Sequence, residues 1–539
     1  MDFANRTAAT FTLTTPLYYV NALPHIGSAY TTIAADAVAR WQRLQGKSVL
    51  LITGTDEHGQ KIQRTAEHLG RSPQDHCDEI VMGFKKLWAC LNIQYDRFSR
   101  TTDPRHQVIV KEFFERVWQQ GDIYLGQQQG WYCVACEEFK EERELVAGYC
   151  PIHPQQVAEW RDEQNYFFRL SQYQDKLEAL YQQQPDFIQP EPRRNEVLSF
   201  VKQGLQDFSI SRLDLPWGIP IPEDPHHTLY VWFDALLGYI TALLEPDQEV
   251  SLDNALARWW PAQLHLIGKD ILRFHAVYWP AMLMSAGLPL PNCVFGHGFL
   301  TKDGQKMGKS SGNTLDPFKL AERYGADATR YYFLKEIEFG RDGDFNEIRF
   351  VNTLNADLAN DLGNLLNRTL KMAHKYCGGC VPDVDGEQIS PENPLKAIAL
   401  NLGEQVAQAY DCLAFSDACT ATLSLVKTGN KYIDDRAPWA LYKQGDQGGV
   451  AQVLYSVLES SRLAAYLLSP IIPNLSTAIY RQLGLEVDFN PKVPASPMRF
   501  EGHAVWGLLP ANQPLADPEP IFRRLKLPNS PENHQESED

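Results

Sequence analysis

The chain has 539 residues and a formal net charge of −17, from 50 Lys and Arg against 67 Asp and Glu. That length exceeds what one hydrophobic core organises and predicts about three or four domains. The acidic balance argues against a surface tuned to bind any nucleic acid, while leaving room for a local basic path. No run of about 18 apolar residues occurs, so no membrane span is expected. The opening "MDFANRTAATFTLTTPLYYV" has neither a signal-peptide nor a transit-peptide pattern, and a cytoplasmic location is expected. The ten cysteines are scattered and do not form a disulfide framework, in keeping with a reducing compartment.

In chain order, residues 11–20, "FTLTTPLYYV", read as a buried strand. "NALPHIGSAYTTIAADAVARWQRLQG" reads as a turn and then a helix with an apolar face, ending at Gly46. "SVLLITGTDEHG" is a second apolar strand that closes on the polar Asp56, Glu57 and His58. Strand, helix and strand at this spacing predict a βαβ unit in a parallel sheet, whose ligands bind at the carboxyl ends of the strands. Residues 118–224 interrupt the pattern with Gln/Pro-rich connections and read as an inserted domain. The α/β pattern resumes in "TLYVWFDALLGYITALL" and "QLHLIGKDILRFHAVYWPAMLMSAG". From about residue 351 apolar residues recur at i, i+3 and i+4, predicting a helical domain to about 510. The acidic, Pro-containing end of 511–539 reads as a disordered tail, and no solenoid repeat is present.

Inside the insertion, Cys133-x-x-Cys136 is followed 14 residues later by Cys150-x-x-His153. Two ligand pairs, each on a tight knuckle, make a closed tetrahedral set for one structural Zn²⁺. Cys377-Gly-Gly-Cys380 has no second pair nearby and reads as two free thiols at a helix end. The stretch 302–313, "KDGQKMGKSSGN", combines Gly and Ser with Lys306 and Lys309. Read alone, it is equally a phosphate-binding loop or a solvated hinge. "PHIG" at residues 24–27 closes a strand and opens a helix, which suits a nucleotide phosphate at the helix N-terminus or a simple His25 cap.

Taken together, "HIGS" (25–28) and "KMGKS" (306–310) resemble the paired HIGH and KMSKS signatures of class I aminoacyl-tRNA synthetases. The segments "TTPLYYVNALPHIG", "LITGTDEHG", "YVWFDALLGYI", "HLIGKDILRFHAVYWPAML", "GADATRYYFL" and "RAPW" resemble those of the methionyl-tRNA synthetase family, in order and over nearly the whole chain to about residue 510. The zinc knuckle is similar to that of the subgroup with a single four-ligand zinc. Two positions depart from the pattern: Ser28 replaces the second histidine, and Gly308 replaces the central serine.

The resemblance implies an α/β fold: a Rossmann-like parallel-sheet catalytic domain (1–117 and 225–300) split by the zinc-bearing insertion, then a lysine-loop and stem-contact region (301–350), then the helical anticodon-binding domain (351–510). It implies ATP-dependent formation of methionyl-adenylate and transfer of methionine to initiator and elongator tRNA(Met), with Mg²⁺ accompanying ATP. It implies catalysis by His25, Lys306 and Lys309, with Gly27, Ser28, Gly268, Asp270 and His297 also at the nucleotide. It implies a methionine pocket of Leu17, Tyr19, Trp232, Ala235, Tyr239, Ile271, His275 and Trp279, with Asp56 on the ammonium. It implies anticodon reading by Asn364, Arg368 and Trp439. Thioether sulfur favours aromatic edges, which suits such a pocket. The small insertion, about 105 residues and partly taken by zinc ligands, disfavours the Ile, Val and Leu enzymes with their large editing domains. The chain ends about 30 residues after "WGLL", leaving no room for a dimerising C-terminal domain, so a monomer is expected. The competing readings are a class I synthetase for another amino acid and a non-catalytic tRNA-binding paralogue.

Overall fold

The computed structural model describes residues 9–134, 137–151, 153–213, 215–222, 224–307, 313–490 and 499–527, with backbone alone for His153, Pro154, Gln156, Lys306 and Gln388. Six parallel strands form the central sheet: β1 (Thr10–Tyr19), β2 (Ser48–Asp56), β3 (Arg97–Arg100), β4 (Ile188–Gln189), β5 (Leu264–Gly268) and β6 (Val294–His297). Their spatial order is β3-β2-β1-β5-β6-β4, every neighbouring pair parallel. The chain winds outward from β1 through β2 to β3 on one side and from β5 to β6 on the other, with β4, laid down earlier in the chain, at the far edge, so the direction reverses between β1 and β5. That reversal opens a crevice at the carboxyl ends of β1 and β5.

Both faces of the sheet are covered, as parallel strands require. One core packs Leu50, Ile52, Phe113, Trp260 and Trp279. The other runs from Leu13 and Leu51 through helix α1 (Ile26–Leu44) and on, without a break, into the helical region that carries Leu365, Leu425 and Leu463. Helix α1 is buried along nearly its whole length, which its run of Ala, Thr and Ile allows. It ends where Gly46 takes φ of 80°, a conformation that costs glycine nothing.

A buried ionic network joins α1 to the helical region. Asp36 accepts from Arg40 Nε at 2.7 Å and lies 2.7 Å from the guanidinium of Arg330, with both Asp36 and Arg330 wholly buried. Arg330 also donates to the carbonyls of Pro470 (2.9 Å), Ile471 (2.8 Å) and Leu91 (3.3 Å). Burial would push the Asp36 pKa up, but Arg40 and Arg330 hold it below the usual carboxylate value.

The 118–224 segment builds an antiparallel sheet whose long strands, Ile123–Cys133 and Glu159–Phe168, pair from Ile123↔Phe168 to Tyr132↔Glu159. This segment also supplies β4 to the central sheet and the helix Glu191–Val201, so it is anchored in the catalytic layer. Helices Asn364–Tyr376, Pro394–Asp411, Phe415–Arg436 and Gln447–Leu468 make the bundle expected from the helical periodicity. Among the described residues, no helix is long and apolar enough to cross a membrane.

Arg330→Met keeps the aliphatic stem but leaves Asp36 and three main-chain carbonyls short of a donor. The expected loss is about 3–5 kcal/mol, the scale of a broken buried ion pair. It should appear as a lower midpoint of thermal unfolding, and an unchanged midpoint would contradict the role given to the network.

Candidate active site

The strand register collects the expected residues at one end of the sheet. Tyr19 of β1 is paired with Asp56 of β2, and Gly268 of β5 with His297 of β6. Pro16 has no N–H to give the ladder, and the register shifts between Thr14 and Leu17. Beyond the shift, Leu17 lies so close to Gly238 that a Cβ there would fall 2.4 Å from Leu17 Cδ1.

His25 is the N-cap of α1, and its Nδ1 accepts from the Gly27 N–H at 3.0 Å and the Ser28 N–H at 3.4 Å. An accepting Nδ1 leaves the ring proton on Nε2, in an exposed side chain. A Cβ on Gly27 would meet His25 Cε1 at 2.9 Å, so His25 folds back only because residue 27 has no side chain. Ser28 is buried, and its carbonyl accepts from Tyr18 (3.2 Å) and Thr32 (2.8 Å). Thr31, one turn on, meets His297 Nε2 at 2.7 Å. His297 Nδ1 lies 2.8 Å from the Gly298 carbonyl, so Nδ1 bears the proton, and burial pushes the pKa down to about 4. Asp270 is exposed just beyond β5, and a Cβ on Gly268 would lie 2.5 Å from its Oδ1.

Beside the crevice lies an aromatic cluster. Tyr19 meets Trp232 edge-on (centroids 6.4 Å, 85°), and Trp232 stacks on Phe274 (3.9 Å, 7°). A π-helical turn over Phe274–Tyr278 follows Ile271 and positions His275. His275 Nδ1 donates to the Ile271 carbonyl (3.0 Å), and Nε2 accepts from the Tyr239 hydroxyl (2.8 Å). Burial pushes the His275 pKa down to about 4, so the ring is neutral near pH 7. Ala235 and Trp279 are buried in the same layer.

Asp56 is the group that packing leaves unresolved. It is only 2% exposed, its Oδ1 has no hydrogen-bond partner, and the Tyr19 hydroxyl opposite is likewise unpartnered. Burial, reinforced by the nearby Asp234, pushes the Asp56 pKa well above the usual carboxylate range. A buried carboxylate in that state suits an incoming cation.

Around Asp56 the structure assembles polar groups that the sequence reading named only as a loop or passed over. His58 Nδ1 meets Asp234 Oδ2 at 2.6 Å, and His106 Nε2 meets Asp234 Oδ1 at 2.6 Å, all three buried. Arg100 grips the buried Glu57 with two hydrogen bonds of 2.7 and 2.8 Å. The signal was present as charged residues inside apolar runs, "TGTDEHG" and "YVWFDALL", but sequence does not reveal that they meet.

Of the expected zinc ligands, Cys133 and Cys150 are buried, while Cys136 and the side chain of His153 lie outside the described residues. Cys133 pairs with Glu138 and Cys150 with His153 in antiparallel register. Two soft, buried thiols fit a structural zinc. Among the described residues, no group of three or more His, Cys, Asp or Glu is arranged to hold a metal. Gly308, Lys309 and the side chain of Lys306 also lie outside the described residues. Cys377 caps the helix Asn364–Tyr376, and it and Cys380 form no disulfide.

On the helical domain Asn364 is exposed, Arg368 is ion-paired with Asp434 at 2.7 Å, and Trp439 is 38% exposed. Ala437, at φ of 42°, turns the chain sharply between the helices Phe415–Arg436 and Pro438–Lys443 and so presents Trp439. A non-glycine residue in the left-handed region is the kind of strain found at functional sites.

A doubly wound nucleotide-type sheet with a capped helix N-terminus at its switch point defines a class of nucleotide-dependent enzyme. Residues 11–159 and 152–370 match the family model described as tRNA synthetases class I (M), and 384–535 match the anticodon binding domain of methionyl tRNA ligase. The chain is 68% identical to a methionine–tRNA ligase of a Nostoc species, covering 98% of this chain and 99% of that one. It is 53% identical to the chloroplastic/mitochondrial ligase of Arabidopsis thaliana over 98% of this chain and 84% of that protein. A Mycobacterium tuberculosis methionyl-tRNA synthetase solved with methionyl-adenylate superposes with a TM-score of 0.89 at 42% identity, covering 96% of this chain and 100% of that one. The chain belongs to the methionyl-tRNA synthetase family.

A carboxyl group whose folded pKa lies above its unfolded value opposes folding once the pH exceeds the unfolded pKa. Asp56→Asn should therefore stabilise the ligand-free protein at pH 7, by at least about 1 kcal/mol. The gain should shrink as the pH falls through about 3.9, the unfolded carboxyl's pKa, and vanish below it, where the wild-type carboxyl is protonated in both states. Thermal unfolding of both proteins across that range checks this.

Proposed function

We propose that this chain charges tRNA(Met), initiator and elongator alike, with L-methionine at the expense of ATP. The observation that carries the reading is the buried Asp56 carboxylate, whose Oδ1 has no hydrogen-bond partner, beside the Tyr19–Trp232–His275 aromatic cluster and next to the nucleotide-type crevice. Its charge suits an α-ammonium and the aromatic layer suits a thioether. The amino-acid carboxylate then faces the carboxyl ends of β1 and β5.

In the first step a methionine carboxylate oxygen attacks the α-phosphorus of ATP. The bond to the bridging oxygen breaks and pyrophosphate leaves. Both reactants are anions, so catalysis is largely positioning and cationic stabilisation. The Nε2–H of His25 donates to phosphate oxygens, and Lys306 and Lys309 neutralise the charge that builds on the leaving pyrophosphate. Mg²⁺, entering on ATP, supplies further charge neutralisation. Gly27 gives adenine access to the backbone, with Ser28 and His297 beside it. Gly268 makes room for Asp270 at the ribose. Leu17, Ala235, Tyr239, Ile271 and Trp279 complete the methionine pocket. In the second step the ribose hydroxyl of the terminal adenosine attacks the mixed anhydride and AMP leaves.

Asn364, Arg368 and Trp439 read the anticodon, where unpaired bases stack and expose their edges. One zinc on Cys133, Cys136, Cys150 and His153 fixes the insertion. The domain division is that set out above, and the enzyme acts as a cytoplasmic monomer.

Methionine-dependent ATP–pyrophosphate exchange without tRNA tests the reading: exchange with methionine supports it, and exchange with leucine, isoleucine or cysteine alone overturns it. Lys309→Ala should depress exchange about a hundredfold or more, in line with loss of one transition-state donor. Gly268→Ala, which drives a Cβ against Asp270, should raise KM for ATP and leave KM for methionine unchanged. Metal analysis should find one zinc per chain, lost in Cys136→Ser.

A further inference from the structure

The two halves of the amino-acid site lie on different elements. Asp56 closes β2, while Trp232 and Ala235 lie on the short helix Val231–Leu236. Methionine would span the gap, so their separation fixes the chain length that fits. Asp234, in the same short helix between those two pocket residues, bridges it directly. One carboxylate oxygen meets His58, two residues beyond Asp56, and the other meets His106 on the helix Pro104–Gln119, each at 2.6 Å. His106 Nδ1 continues to Thr241 Oγ1 at 2.8 Å, two residues after Tyr239. On its other side the 56–58 turn is held by the grip of Arg100 on Glu57, by Thr101 Oγ1 accepting the Glu57 N–H (2.9 Å), and by Trp217 Nε1 donating to the Glu57 carbonyl (2.5 Å). A turn held this firmly moves only if the bridge moves.

We propose that Asp234, through His58 and His106, is a positioning residue that sets the span between the ammonium site and the side-chain pocket, and so selects the length of the amino acid. The proposal rests on the reading of this site as the methionine site. Short, charge-assisted hydrogen bonds give the geometry its stiffness. An apolar pocket by itself discriminates one methylene by only about 10–200-fold. A rigid span adds to that, because a shift of about 1 Å costs on the order of a hundredfold in rate.

The test uses the full-length, zinc-loaded enzyme in pyrophosphate exchange with methionine, with S-methylcysteine (one methylene shorter) and with homomethionine (one longer). Wild-type exchange with methionine is the check on the site reading; without it that reading fails before the bridge is addressed. In Asp234→Asn, KM for methionine should rise about tenfold or more, while kcat and KM for ATP stay within about threefold. The preference for methionine over its two homologues should narrow about tenfold. Thr241→Val, which loosens only the far end of the bridge, should move both quantities in the same direction by less, and it decides the matter if Asp234→Asn does not fold. His106→Gln, which keeps a donor toward Asp234, should keep the wild-type preference. Equal losses for all three amino acids, or a fall in kcat with KM for methionine and the preference unchanged, would reduce Asp234 to a structural role.

Discussion

The ion pair between Arg330 and Asp36 fixes the frame on which everything else is measured. Asp36 lies on α1, whose N-terminal end carries His25, Gly27, Ser28 and Thr31, so the helix that presents its N-terminus to the crevice is locked at mid-length to the bundle. Burying a guanidinium is tolerable only when its donors are used, and here they go to Asp36, Leu91, Pro470 and Ile471. Trp41 adds a second tie, donating to Asp411 at 2.7 Å and stacking on Tyr410. The catalytic layer and the helical region therefore share one core and one charge network. A rigid relation of that kind suits an enzyme that must serve a nucleotide at one end and a distant part of an RNA at the other.

The two faces of the sheet carry different burdens. The α1 face is continuous with the bundle and carries the buried Asp36–Arg330 network. The opposite face contains the polar groups that packing alone would not select: Asp234 with His58 and His106, the neutral His275 on Tyr239, and Asp56 without a partner for Oδ1. Asp234 is wholly buried, yet His58 and His106 bring its pKa down to about 2 against the upward push of burial. Asp56 has no such partners and its pKa moves the other way. Two carboxylates in one neighbourhood are thus set apart, one satisfied internally and one left for a ligand.

The parallel sheet was legible because its strands are apolar on both faces and end in Gly, Asp or His at the spacing of a βαβ unit. The strand ends were legible for the same reason, and the register brings Tyr19 to Asp56 and Gly268 to His297. The family was legible from two short motifs and the order of six segments. The contribution of the 118–224 segment to the central sheet was not, since Ile188–Gln189 is too short to carry a periodicity. The Arg330 network and the Asp234 bridge were hidden because each joins residues well over a hundred positions apart. Thr31 on His297 was hidden in the same way, since a threonine inside a helix has a local hydrogen bond to Gly27 that already explains it.

The central claim is that Asp56 Oδ1 lacks a partner because methionine supplies one. A crystal structure of the protein soaked with L-methionine tests it directly. The account predicts the ammonium within hydrogen-bond distance of Asp56 Oδ1 and the thioether among Tyr239, His275 and Trp279. Methionine bound with its ammonium away from Asp56, or the aromatic pocket left empty at saturating ligand, would contradict it.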